Sequence, residues 1–190
     1  YFGISEGIKN LLEYQDKLDE INVFPVPDGD TGTNMCFTLM PVVEECEELI
    51  SDRIDDTLDV IANSALDSAR GNSGTIIAQF FHGFRRSMAN LESASINDFA
   101  AALQNGYQSA HDSLLDPEEG TIITVMRDVA STALELKDQD NINYINFMNK
   151  CYRSAEQSLQ KTKTILKILR KTDVVDAGAL GFVLIIQGVL

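Results

Sequence analysis

The sequence has no tryptophan, three cysteines, four prolines and two histidines, and its 15 Lys and Arg residues face 29 Asp and Glu. Each shortage removes a class of protein. Cys36, Cys46 and Cys151 are odd in number and show no Cys-x-x-Cys spacing, so a disulfide framework is excluded and reduced, buried thiols are the simplest reading. A net charge of −14, with nothing resembling a basic stripe, argues against nucleic acid and anionic membrane as partners. The longest apolar run, 177–190, is broken by Gly178, Gly181, Gln187 and Gly188 and is too short to span a bilayer; it reads as a buried final helix. No basic region followed by an apolar core opens the chain, which leads us to expect a cytoplasmic protein. At 190 residues the chain fits one domain, 1–190, able to bury roughly two-thirds of its unfolded surface without staples. A start without Met and an end inside an apolar helix suggest a domain excised from a longer chain.

What the sequence has in abundance is helical periodicity. Ile96, Phe99, Leu103, Tyr107, Ala110 and Leu114 fall on one helix stripe, and Ser95 with Asp98 forms a capping pattern ahead of it. Phe80, Phe81, Phe84, Met88 and Leu91 line a second face, and Ile122, Val125, Met126, Val129, Ala133 and Leu136 a third; these stripes are core positions. The pattern predicts helices over 5–19, 32–50, 55–69, 73–91, 96–114, 121–137, 142–161 and 177–190, with a short turn at 165–170. Pro41 should kink or restart the second of them. Few alternating β-branched runs compete, so the fold class is all-α, an eight-helix antiparallel up-and-down bundle or barrel.

Chemistry concentrates in residues 22–35, Asn-Val-Phe-Pro-Val-Pro-Asp-Gly-Asp-Thr-Gly-Thr-Asn-Met. Pro25 and Pro27 stiffen the segment and Gly29 and Gly32 permit a tight turn, so Asp28 and Asp30 converge as hard oxygen ligands suited to Mg²⁺. Thr31, Gly32, Thr33 and Asn34 follow at a helix start, where amides and hydroxyls can cradle an anion. An ordinary Asp-Gly turn with a helix cap is the plain alternative. Three further glycine-bearing helix entrances occur: Arg70-Gly71-Asn72-Ser73-Gly74, Glu118-Glu119-Gly120-Thr121 and Asp173-Val174-Val175-Asp176-Ala177-Gly178. If alternate helices run antiparallel, all four entrances share one rim.

In order and spacing these motifs resemble the ATP-binding subunit of dihydroxyacetone kinase and, more closely, the N-terminal domain of bacterial fatty acid kinase. The resemblance spans nearly the whole chain. It implies an eight-helix barrel that binds ATP with two Mg²⁺ ions at one end. By the resemblance Asp28 and Asp30 are metal ligands, and Asn22 stands near where the dihydroxyacetone kinase subunit has a third Asp. Thr31 stands where that subunit has His, which favours the fatty acid kinase branch. The leading reading places Mg²⁺ on Asp28 and Asp30. Phosphate oxygens fall to Thr33, Asn34, Asn72, Ser73 and Gly74, and the nucleotide to Gly120, Thr121, Asp176 and Gly178. The resemblance further implies that a separate fatty-acid-binding protein presents the acceptor, giving an acyl phosphate for phospholipid synthesis. A dihydroxyacetone kinase subunit and a non-catalytic nucleotide-binding regulatory module are the alternatives.

Phosphoryl transfer relies on positioning and charge neutralisation, so an imidazole base is not required, and His82 and His111 read as structural. Arg70, Arg170 and Lys171 are the candidate transition-state cations, with Arg170 the one assigned here, although the Lys-rich stretch 161–171 also reads as a solvated helix face. Glu118 and Glu119 either touch metal or favour a helix N-terminus.

Overall fold

The computed structural model describes residues 2–49, 51–139 and 141–190, and all regular structure among them is helical. The chain runs α1 (Phe2–Glu13), α2 (Gln15–Glu20), α3 (Thr31–Glu48), α4 (Ile54–Asp67), α5 (Gly71–Ser87), α6 (Ile96–Asp112), α7 (Ile122–Leu136), α8 (Tyr144–Ile165), α9 (Lys167–Thr172) and α10 (Ala177–Gly188). Each apolar stripe becomes a buried face, as Leu103, Ala110, Met126, Val129 and Ala133 illustrate.

Sequence neighbours pack against one another from α3 to α8, and α1 closes the ring by packing on both α3 and α10. The last helix is apolar on every side, so it must be surrounded; Ala177 to Ile186 are almost all buried, with α1, α3, α7 and α8 around it. Contact between α1 and α10 is close and antiparallel. A Cβ on Gly7 would lie 2.3 Å from the Ile185 carbonyl oxygen, and one on Gly188 would lie 2.1 Å from the Gly7 nitrogen. With alternate elements antiparallel, α3, α5, α7 and α10 all begin at one end of the barrel.

Three expectations are corrected. The helix expected over 5–19 is two helices, broken at Tyr14, and the break turns α2 so that Asp19 reaches α3. The turn expected at 165–170 is the short helix α9. Among the described residues ten helices therefore stand where eight were expected, the eight long ones forming the up-and-down pattern. Finally, of the kink or restart expected at Pro41, the restart does not occur: α3 runs through it. The carbonyl that Pro41 deprives of its amide partner belongs to Phe37, on the half-exposed side of the helix, where water can take its place. The expected end of this helix at residue 50 lies outside the described residues; the helix ends at Glu48. Elsewhere the expected starts are met within two residues, and the Ser95–Asp98 capping box is complete, with both reciprocal bonds formed.

Candidate functional site

The four glycine-bearing entrances do meet at one rim, around two confluent clefts. The inner cleft, about 180 Å³, is walled by Asn22, the Pro25–Asp30 turn, Thr31, Asn34 and the Gly71–Ser73 start of α5. The outer cleft, about 270 Å³, shares Pro25, Thr31, Asn72 and Ser73 with it. Its remaining wall is apolar at Phe24, Ile76, Leu114, Leu115 and Ile122 and otherwise made by Asp116, Glu118, Thr121, Asp176 and Gly178. Three helices thus point their N-termini into the clefts, and their own N-cap residues Asp30, Arg70 and Thr121 make no side-chain capping bond; Asp19 takes an amide of α3 and Asp176 one of α7, which leaves α5 the one of the three with no side-chain acceptor among the described residues. In α5 the first intrahelical amide bond is that of Gly74, to the Arg70 carbonyl at 3.1 Å, so the amides of Gly71, Asn72 and Ser73 precede the ladder. Such amides favour anions.

Local sequence explains this rim. Gly71 has φ of +59°, and a Cβ there would lie 2.3 Å from Asn34 Nδ2, so only glycine lets α5 start against α3. The Phe24–Pro25 peptide is cis and the Pro25–Gly29 turn is exposed. Asn22 is 6% exposed beneath the turn and donates from Nδ2 to Asp28 Oδ1 at 2.9 Å. Its own Oδ1 is buried without a partner. A buried amide oxygen left unpaired beside a carboxylate is costly for an empty pocket and apt for a cation. Among the described residues no three His, Cys, Asp or Glu cluster to hold a metal. The donor set is therefore small and all oxygen, which fits Mg²⁺, an ion that completes its shell with water and phosphate. Neither cleft is lined by Lys or Arg, whereas Asp28, Asp30, Asp116, Glu118 and Asp176 all line them.

Asp176 proves to be the hub of the far wall. Its Oδ2 accepts the Ala179 N–H at 2.9 Å, capping α10, and the Ile122 N–H at 3.0 Å, so one oxygen joins two helix N-termini. Its own amide donates to Thr162 of α8 at 3.1 Å. Burial raises the carboxyl to about 6, with the Ala179 and Ile122 amides pulling the other way.

The structure brings Asn22, Asp28, Asp30, Asn34, Asn72, Ser73, Thr121, Asp176 and Gly178 to the clefts. It does not bring Thr33 there. Asp19 accepts both the Thr33 amide, at 3.0 Å, and its hydroxyl, at 2.6 Å, so this residue ties α3 to α2. Gly32 serves the same seam, since a Cβ would lie 2.3 Å from the Gln15 carbonyl oxygen. Gly74 packs on Thr38, and Gly120 against Ile165 and Leu166, both set back from the cleft. Arg170 is exposed on α9 with its guanidinium on the Thr164 carbonyl, Lys171 beside it is exposed, and Arg70 lies 4.6 Å over the Phe37 ring; none of the three lines the clefts, so none stands as the transition-state cation. Glu118 lines the outer cleft, while Glu119 is engaged by Thr124 and Arg127. His82 and His111 lie away from the rim, on α5 and α6. Sequence reasoning missed Phe24, Ile76 and Leu114 as cleft walls, and Asp19 as the cap of α3; Phe24 sits within the 22–35 motif with no role read for it, and the other three lie outside every motif.

Ser73 is the third residue of α5, not its cap, and its hydroxyl makes only a 3.4 Å contact with the Thr31 carbonyl. Ser73→Ala is therefore expected to leave stability within about 0.5 kcal/mol, whereas Ser95→Ala, which breaks a complete capping box, should cost about 1 kcal/mol. Urea unfolding of both variants decides the point. An equal loss in the two means that Ser73 is part of the scaffold.

A closed helical barrel with a polar, cation-poor cleft built from helix N-termini at one end defines the class of domain. Residues 25–190 match the family described as the DAK2 domain, and the chain belongs to that family, which makes it a kinase-related domain. It is 37% identical over 187 residues to an uncharacterized protein of Staphylococcus saprophyticus and to Protein YloV of Bacillus subtilis, covering 98% of this chain and 34% of each relative. The chain thus spans about a third of the length of these relatives. Its fold is also that of the dihydroxyacetone kinase from C. freundii, solved in complex with AMP-PNP and Mg²⁺, at a TM-score of 0.72 and 15% identity over 98% of this chain and 32% of that one. No helix among the described residues is long and apolar enough to cross a membrane.

Proposed function

We propose that the rim binds Mg·ATP and serves as the phosphoryl-donor site of a fatty acid kinase, whose acceptor is presented by a separate fatty-acid-binding protein. The observation that carries the donor-site reading is the meeting of three helix N-termini, that of α5 with no side-chain acceptor on its first amides, with two carboxylates and an unpaired amide oxygen, in clefts with no cationic side chain. Asp28, Asp30 and the Asn22 oxygen are the groups to hold Mg²⁺, one ion or the two that the resemblance implies, and when bound the metal neutralises phosphate charge that this acidic rim could not otherwise accept. The Gly71–Ser73 amides and Asn34 hold phosphate oxygens. Phe24, Ile76 and Leu114 give the base an apolar wall, while Thr121, Asp176 and Gly178 close the opposite side. C. freundii dihydroxyacetone kinase, with AMP-PNP and Mg²⁺ bound, supports the nucleotide part of this reading; it equally favours a dihydroxyacetone kinase as the second reading.

Neither cleft offers a second compartment to hold an acceptor in line with the nucleotide, and transfer depends on that alignment. Hence the domain alone should bind Mg·ATP yet transfer phosphate very slowly, and speed should return with the other domains of the parent chain and a loaded fatty-acid carrier. A labelled-ATP assay with those components added singly and together measures this. Rapid phosphorylation of a free small substrate by the domain alone overturns the proposal; turnover with dihydroxyacetone carried by a partner subunit selects the second reading. Binding of Mg·ATP with no turnover in any combination leaves a regulatory module.

A further inference from the structure

The corner between α8 and α9 carries charge opposite in sign to the rest of the molecule. Lys161, Lys163, Lys167, Arg170 and Lys171 are five of the chain's 15 Lys and Arg residues, and no Asp or Glu lies between 161 and 172. Lys163 is tied to Asp173 at 3.4 Å. Lys161, Lys167 and Lys171 are exposed and have no ion-pair partner among the described residues. A merely solvated face exposes charge and hides its apolar groups. This one turns Leu169 inward but leaves Ile165 and Ile168 exposed among the cations. The corner also adjoins the clefts: Gly120 packs against Ile165 and Leu166, and its loop runs back through Glu118 and Asp116 to Leu115, which is wholly exposed at the mouth of the outer cleft.

We propose that this corner is the docking face for an acidic protein that presents the phosphoryl acceptor to the cleft, an inference that rests on the donor-site reading above. Charge complementarity selects the occupant. With a net charge of −14 and a third of its cations gathered here, the domain repels an acidic partner elsewhere and attracts it at this corner, which fixes its orientation as well as its place. Ile165, Ile168 and Leu115 supply the apolar centre that a protein interface needs, and the lysines supply the polar rim. An anionic bilayer suits the corner less well, because a plane resting on it also presses like charge against the exposed Asp116 and Glu118. A partner seated here overhangs the outer cleft, where an acceptor oxygen has to arrive.

The test uses the full-length parent protein with Mg·ATP and a fatty-acid-loaded carrier protein. Lys161→Glu, Lys167→Glu and Lys171→Glu, combined, alter residues outside both clefts. The triple variant should raise KM for the carrier about tenfold or more, leave kcat within about twofold and flatten the dependence of KM on salt. Its affinity for Mg·ATP should not change, and the Gln triple variant should show an intermediate KM. An unchanged KM in the Glu variant, with Mg·ATP still bound, overturns the docking face while leaving the donor site standing. If the wild type sediments with phosphatidylglycerol vesicles and the variant does not, with KM unaltered, the corner is a membrane contact and the inference is wrong. Failure of the wild type to bind Mg·ATP at all defeats the donor-site reading itself, whereas binding without phosphorylation of the carried fatty acid defeats the partner named here.

Discussion

Asp28→Asn and Asp30→Asn are each expected to weaken Mg·ATP binding by about 100-fold, close to 2.7 kcal/mol, while leaving the fold intact. Asp28 stands on an exposed, proline-stiffened turn and Asp30, half-buried, precedes α3 without a side-chain capping bond; neither belongs to the core, so unfolding free energy should move by less than about 0.5 kcal/mol. The cost falls on the ligand because no lysine or arginine lines either cleft to take over the phosphate charge. Replacing one carboxylate with an amide keeps the shape of the turn but removes a full charge from a small, all-oxygen donor set. Asp28 has a further role, since it holds the Asn22 amide at 2.9 Å and so aims the neighbouring unpaired oxygen. Calorimetric titration with ATP, run with Mg²⁺ and again with EDTA, gives the answer. In EDTA, wild type and variants should be equally weak. Either variant binding Mg·ATP within about threefold of wild type removes its carboxylate from the metal site.

Asp176→Ala is expected to produce the largest loss of stability among the cleft residues, about 2–4 kcal/mol, because it strips two buried amides, those of Ile122 and Ala179, of their shared acceptor. Asp176→Asn places a carbonyl oxygen where Oδ2 was and should stay within about 1 kcal/mol of wild type near neutral pH. The two variants separate geometry from charge. Burial raises this carboxyl from 3.8 to about 6, so the folded protein holds its proton more tightly than the unfolded chain does. Its contribution is then most favourable below 3.8 and is lost as pH rises through about 6. Wild type should therefore fall relative to Asp176→Asn between pH 4 and pH 6, by on the order of 2–3 kcal/mol, and hold a constant difference above that window. Chemical unfolding at several pH values follows the difference directly. A gap that stays flat across the window shows that Asp176 titrates alike in both states, and an alanine variant as stable as wild type shows that the two amides find other partners.

Much of this site was legible in sequence because its parts are local. Glycines beside Asp, Ser, Thr or Asn mark helix entrances, and periodic stripes between them count the helices; together these put four entrances at one end. What escaped depends on partners far apart in the chain. Thr33 has the composition of a phosphate ligand, yet Asp19, on a helix that periodicity merged with its predecessor, engages both its donors. Ser73, by composition fit to hold phosphate or to cap a helix, is the third residue of a helix that starts at Gly71, which only the structure shows. Asp176 looked like a nucleotide contact, and its bond to Ile122, 54 residues away, makes it a fastening between two helices as well. Arg170 sits in a basic run beside the right loop, but the short α9 sets its guanidinium on a carbonyl outside the clefts. The apolar walls Phe24, Ile76 and Leu114 have no signature of their own, being ordinary hydrophobic residues that the ring of helices leaves facing a cleft.

The seam between α1 and α10 bears on how freely this barrel can be altered. Gly3 sits against Val189 and Gly7 against Gly188, at the end of α10 opposite to Gly178 and the clefts. The start of α1 and the end of α10 are therefore neighbours, one helix length away from the rim; twelve residues of helix span about 18 Å. A change in that seam touches no cleft residue, so packing at one pole and binding at the other should vary independently. The barrel is in this sense a cassette, with its handle at one pole and its chemistry at the other.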